Sequence, residues 1–185
     1  MKTRLIVVAA PSGAGKSSFV ERISKEDPRL VDIITYTTRS MRKGESEGQP
    51  YHFLSHEEFQ SRIEEGFFVE WAKVHTNFYG TSYRSIESIW EEGRCGIMDV
   101  DIQGVATFKA KFPAVKTVFI LPPSRDELRR RIEKRDGGMP ADIEVRMANA
   151  AKEIQEASKF DYQIVNDNFD QSYAQFKKIV EELLA

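Results

Sequence analysis

The stretch RLIVVAAPSGAGKSSFVERISK, residues 4–25, sets an unbroken apolar run directly before a turn of small residues and a helical pattern. A strand that is apolar at every position, rather than at alternate ones, has both faces covered, and that happens in parallel sheets with helices on either side. The same rhythm returns later in the chain. CGIMDV, KTVFIL and YQIV are short apolar runs, followed by helical patterns in IQGVATFKAKF, SRDELRRRIEKR and DQSYAQFKKIVEELLA. The expected fold is therefore α/β, a parallel sheet core flanked by helices.

Two segments depart from this alternation. Residues from about 33 to 90 carry more β signals: VDIITYTTR reads as one extended segment and FFVEWAKVH as strand-like, with helices in SHEEFQSRIEEG and SYRSIESIWEEG. The first of these helices opens at Ser55 with Glu58 three residues on, the pattern of a capping box, and closes at Gly66. RDGGMPAD is a glycine-bearing polar stretch between helices, and both segments read as mobile additions to the sheet.

Charged residues make up 30% of the 185, yet the net charge is only −2. No global positive excess suits a nucleic acid, so an anion has to be held by a local cluster. The apolar runs are too short to cross a bilayer, and the N-terminal stretch lacks a signal-peptide core of adequate length. A soluble cytoplasmic protein without a membrane partner is expected. Cys95 is the single cysteine, so no disulfide forms within the chain; its apolar neighbours mark a buried strand residue.

APSGAGKSS has the layout of a phosphate-binding loop: strand, small-residue turn, helix beginning at Lys16. Successive backbone N–H groups can curl around phosphate oxygens where Gly13 and Gly15 carry no Cβ. Lys16 then meets the β- and γ-phosphates, Ser17 offers its hydroxyl to Mg²⁺, and the helix points its positive end at the same oxygens. Ala10 stands where the common pattern begins with glycine, at the strand exit rather than under the phosphate, where a methyl group is tolerated at negative φ. An ordinary Gly/Ser turn capping a helix is the bland alternative.

Arg39 and Arg42, three apart in TTRSMRKGE, offer planar multidentate contacts to phosphate, or else form a solvated basic loop. Asp99 and Asp101 occupy alternate positions at the end of the strand GIMDVD, so both can face a crevice at its carboxyl end. A helix N-cap is the alternative for Asp99. Most arginines in RDELRRRIEKRDGG belong to a helix surface, whereas Arg135 and Arg146 flank the glycine-bearing stretch. His52, His56 and His75 lack metal-site spacing or an evident base partner and read as structural or surface histidines.

Taken together, APSGAGKSS, TTRSMRKGE, YHF, FVEWAKVHTNFYGTS, MDVDIQG, FILPPS, EKR with the later VRM, and YQIVND resemble guanylate kinases in order and spacing over nearly the whole chain. The resemblance implies a P-loop NTPase-type core (about 1–32, 83–124 and 159–185), a smaller β-rich GMP-binding lobe (about 33–82) and a helical lid (about 125–158). It implies that Pro11, Ser12, Gly13, Ala14, Gly15, Lys16, Ser17 and Ser18 bind ATP, with Arg131 and Asn166 near its adenine. Arg39, Arg42, Tyr51 and Tyr79 would take the phosphate of GMP, and Thr35, Glu70, Thr81 and Asp101 would surround its base. Lys16, Arg39, Arg42, Arg135 and Arg146 would be the catalytic cations, and Ser17 and Asp99 the Mg²⁺ ligands, Asp99 through water. Met41 stands where the family pattern has proline, which loosens the loop between the two arginines. The residue chemistry agrees at the base: guanine presents N1–H and an amine as donors, so a pocket selecting it needs acceptors.

The implied reaction moves the γ-phosphoryl group of ATP to GMP by direct in-line transfer, with no phosphoenzyme, because the acceptor is already an anionic phosphate oxygen. Closure of both added segments would exclude water. Two other readings stay open from sequence: a guanylate-kinase-like module that binds phosphopeptides without turnover, and a kinase for another nucleoside monophosphate. Monomer and homo-oligomer are equally compatible.

Overall fold

The computed structural model describes residues 4–74 and 76–185. In chain order the elements are β1 (Leu5–Ala9), α1 (Lys16–Glu26), β2 (Leu30–Asp32), β3 (Thr35–Thr37), β4 (Tyr51–Phe53), α2 (His56–Glu64), β5 (Phe68–Val74), β6 (Asn77–Ser82), α3 (Tyr83–Glu91), β7 (Cys95–Asp99), α4 (Ile102–Lys111), β8 (Lys116–Leu121), α5 (Arg125–Asp136), α6 (Ile143–Gln155), β9 (Tyr162–Val165) and α7 (Phe169–Leu184). A 3₁₀ turn, Glu156–Lys159, follows α6.

β1 is buried at every position, and its side chains divide by parity. Ile6 and Val8 join Phe19, Ile23, Ile120, Ile132 and Phe176 on one face of the sheet, while Leu5, Val7 and Ala9 join Met98, Phe108 and Phe119 on the other. This double burial explains why the run is apolar throughout. The sheet is five-stranded in the order β2-β7-β1-β8-β9, and every pairing in it is parallel. Ala10, at the exit of β1, belongs to the same core at 5% exposure, which accounts for a methyl group at that position. Cys95 on β7 is fully buried, and burial pushes its thiol pKa up to about 12, so it acts as a small apolar residue.

A second sheet, β4-β3-β6-β5, pairs β3 with β4 in parallel and β3 and β5 with β6 antiparallel. The segment read as one extended run, VDIITYTTR, is two strands in two sheets: β2 ends at Asp32 and β3 begins at Thr35. Ile33 makes the crossing possible. Its N–H still donates to the Ile97 carbonyl, and its side chain fills the space over Gly96, where an added Cβ would lie 2.7 Å away. The short, half-buried β4 carries too few residues to announce itself as a strand, and β6 contains Gly80, a residue depleted in strands. Gly80 is required there, since a Cβ would come within 2.9 Å of Phe68.

Helix ends follow the sequence signals. Ser55 and Glu58 form the expected capping box on α2, and Ser82, Ser124 and Asn168 cap α3, α5 and α7 by accepting from backbone N–H groups. Among the described residues no helix is long and apolar enough to cross a membrane.

Candidate active site

β1 lies between β7 and β8, so the loop after it opens at the carboxyl edge of the parallel sheet, where α/β proteins bind ligands. Gly13 and Gly15 have φ of +90° and +97°, conformations that residues with a Cβ avoid. The space argument works from behind the loop as well. A Cβ on Gly13 would lie 2.8 Å from Ile132 of α5, and one on Gly15 would lie 3.1 Å from the Asn166 amide nitrogen. The loop is thus clamped against α5 and the segment after β9, while its other side forms a cleft of about 340 Å³ lined by Pro11, Ser12, Gly13, Gly15, Lys16, Ser17, Ser18, Arg131 and Arg135.

Lys16 and Ser17 open α1, with their amides at its positive end. The Ser17 hydroxyl donates to Asp99 Oδ2 at 3.0 Å, and Lys16 Nζ lies 3.9 Å from the same oxygen. Parallel pairing of Val8 with Asp99 brings that carboxylate level with the end of β1. Asp99 is not a helix cap. Asp101 holds that position on α4, its Oδ1 accepting from the Gly104 N–H at 2.8 Å and its other oxygen left over for a ligand.

Ser17 also borders a larger cleft, about 590 Å³, between the two sheets. Thr35, Tyr51, Glu70, Tyr79, Thr81, Asp99 and Asp101 all line it. Glu70 faces Thr81 across β5 and β6, and the Thr81 hydroxyl donates to Glu70 Oε1 at 3.1 Å. Burial raises the Glu70 carboxyl above its ordinary pKa, partly offset by the Thr81 hydrogen bond, and the Asp101 charge adds to the rise. Asp32 and Glu21, which no sequence motif singles out, share the wall. Desolvation, then the charges of Asp99 and Glu21, push Asp32 up to about 6.

The Arg39 side chain is 12% exposed, and its guanidinium forms two hydrogen bonds with Glu45, at 2.8 and 3.0 Å, beside the rings of Tyr51 and Phe53. Glu45 Oε2 also accepts from the Arg42 N–H at 2.8 Å, while the Arg42 side chain is exposed. Glu45 lies three residues past Arg42 and reads from sequence as an ordinary turn residue. On the opposite side, Arg135 Nη1 lies 3.4 Å from the Ser12 hydroxyl, and Arg146 sits at the start of α6.

The two residues expected near adenine are placed differently from each other. Arg131 lines the loop cleft, held by Glu127 and by the Asn166 carbonyl. Asn166 is only 4% exposed; its side-chain amide donates to the Ala14 carbonyl at 2.9 Å, which makes it a strut beneath the loop. His52 pairs with Glu47, and His56 Nε2 lies 3.0 Å from the Thr76 carbonyl. His75 lies outside the described residues. No three His, Cys, Asp or Glu side chains cluster as a metal centre among the described residues.

A glycine-bearing loop at the edge of a parallel sheet, followed by a lysine and a hydroxyl at a helix start and facing a polar cleft in a second sheet, defines a P-loop phosphotransferase. A family model described as guanylate kinase matches residues 2–183. The chain belongs to the guanylate kinase family. It is 75% identical to the guanylate kinase of Bdellovibrio bacteriovorus over the full length of both, and 42% identical to that of Nitratidesulfovibrio vulgaris over 98% of this chain and 88% of the relative. The crystal structure of guanylate kinase from Anaplasma phagocytophilum superposes with a TM-score of 0.75 at 30% identity, covering 97% of this chain and 85% of the other.

Proposed function

We infer that this chain is an ATP:GMP phosphotransferase, moving the γ-phosphoryl group of ATP to a phosphate oxygen of GMP to give ADP and GDP. The observation that carries this is the meeting of two clefts at Ser17: one lined by bare phosphate-loop backbone and lysine, the other by Glu70, Thr81 and Asp101, acceptors suited to the donor edge of guanine. Adenine would set a lone pair at N1 against a carboxylate, a mismatch of about 1–3 kcal/mol or more where charge is involved.

In this reading Gly13, Gly15 and neighbouring amides hold the ATP phosphates, and Lys16 bridges toward the transferred group. Arg39, Arg42, Tyr51 and Tyr79 hold the GMP phosphate, and Arg135 and Arg146 face the equatorial oxygens of the phosphoryl in flight. Asn166 supports the loop from below, and Arg131 borders the adenine side. The parallel-sheet core (1–32, 83–124, 159–185) would carry the loop, 33–82 the GMP site and 125–158 the lid. Because the attacking oxygen is already anionic, positioning and charge neutralisation are the protein's main task, and no general base or phosphoenzyme is needed.

The family implies magnesium. Ser17 and Asp99, two oxygen donors 3.0 Å apart on the shared wall, fit a hard divalent cation, with Asp99 acting through water. When bound there, the ion would neutralise charge on the β- and γ-phosphate oxygens. ATP and GMP as substrates, together with the absence of a membrane-crossing helix among the described residues, suit work in the cytoplasm.

The deciding experiment measures ADP formation with Mg²⁺ and, in turn, GMP, AMP, UMP and dTMP. GMP is expected to be strongly preferred. No ADP formation with any acceptor would leave a binding module, and preference for another acceptor would mean a different nucleotide specificity. Asp101→Asn keeps the oxygen that caps Gly104 while removing the charge, so it should lower GMP-over-AMP preference about tenfold and leave ATP binding nearly unchanged. Equal losses for both nucleotides would remove Asp101 from the base site.

A further inference from the structure

Arg135 and Arg146 are held together by a residue that the reaction itself does not require. Asp136 Oδ1 accepts from Arg135 Nε at 2.8 Å, and its Oδ2 accepts from Arg146 Nη1 at 2.6 Å. A second carboxylate, Asp142, takes the Nε of Arg146 at 2.9 Å. Each guanidinium is therefore fixed by its Nε, and Arg146 by one terminal nitrogen as well. Among the described residues, no hydrogen bond joins a carboxylate to either terminal nitrogen of Arg135 or to the Nη2 of Arg146.

Helix capping does not account for where either acid's side chain goes. Asp136 is the last residue of α5, where the helix dipole repels negative charge. Asp142 occupies the N-cap of α6, yet its side chain makes no capping hydrogen bond, unlike the cap residues of α2, α3, α4, α5 and α7. Its carboxylate is turned to Arg146 instead. Beyond Asp136 the backbone leaves the helix through Gly137 and Gly138, at φ of +74° and +156°, so this carboxylate is the last fixed point before the turn to α6.

We propose that Asp136 is a positioning residue that makes Arg135, at the end of α5, and Arg146, on α6, a single unit facing the phosphate loop. This rests on the phosphotransfer reading above. Asp136 does not touch substrate; it fixes the planes of two guanidiniums relative to each other, with Arg135 Nη1 already within 3.4 Å of Ser12. Two separately tethered arginines would each have to be oriented within the reaction step, and removing that loss of freedom beforehand is what preorganisation contributes.

The test uses the full chain. Asp136→Asn, which keeps shape but loses charge, should lower kcat about tenfold with the KM values for ATP and GMP little changed, and Asp136→Glu should recover part of the loss. The effect must depend on its partner: in an Arg146→Lys background, Asp136→Asn should lower kcat by less than twofold, because the bridged unit is already broken. Thermal unfolding of each variant accompanies the kinetics. An unchanged kcat overturns the proposal, as does an increased kcat, which would make Asp136 a competing counter-ion. The same tenfold loss in both backgrounds also overturns it, since that is the mark of a frayed helix end. If the wild-type chain forms no ADP in response to GMP, the functional reading falls first and takes this proposal with it.

Discussion

The two arginine pairs of this molecule are built in opposite ways. On the proposed acceptor side Arg39 is nearly enclosed, with Glu45 on one edge and aromatic rings beside it, all within a loop and strands of one small sheet. On the proposed donor side the side chains of Arg135 and Arg146 are 51% and 31% exposed, come from two helices and are paired with a shared carboxylate. A site that must recognise one group in a fixed place can be packed into a sheet. A site that meets charge only as it develops can be left open until both substrates are present.

The contrast is broken most severely by the donor pair. Arg146→Ala should reduce kcat by about a thousandfold with a small change in the KM for GMP, the loss expected when a cation acts on the transferring phosphoryl. Steady-state kinetics with both substrates varied checks this; a loss confined to KM would assign Arg146 to ground-state binding. Next in size, Arg39→Ala should raise the KM for GMP by about a hundredfold and affect kcat much less, because its contact persists from bound substrate to transition state. Should Arg39→Ala lower kcat as steeply as Arg146→Ala, the two pairs share one role and the comparison fails.

The smallest effect concerns the wall between the sites. Asp32 has its pKa raised to about 6 from 3.8, so between those values the folded chain keeps a proton that the unfolded chain has released. This contribution to stability is complete below the unfolded value and is lost as pH rises through the folded one. The stability of Asp32→Asn relative to wild type should therefore grow from pH about 4 to about 6 and then level off, by less than about 1 kcal/mol because cleft water screens the charge. Denaturant unfolding across that range measures it, and a constant difference would refute the assignment.

Much of this was legible in the sequence where burial is two-sided or a turn needs bare backbone. β1, the phosphate loop and the capping box of α2 follow from residue pattern alone. The second sheet was harder to see: β3 and β4 have three residues each, and their half-buried side chains give no clean alternation. The same limit applies within the site. Glu45 and Asp136 are close in sequence to arginines, where a carboxylate usually marks a solvated pair, and only the fold shows that each gathers more than one group. The N-cap left open for Asp99 falls to Asp101 instead, because the strand end falls at Asp99 and the residue two later stands at the start of α4.

The contact of Gly13 with Ile132 sets the geometry of any closing stroke. Ile132 is buried against the phosphate loop one turn before Arg135, so most of α5 is bolted to the loop proposed to hold ATP. A swing of the far helix has its fulcrum beyond that bolt, near Gly137 and Gly138. The lever is short, and Arg146 would sweep an arc around Arg135 rather than arrive from a distance.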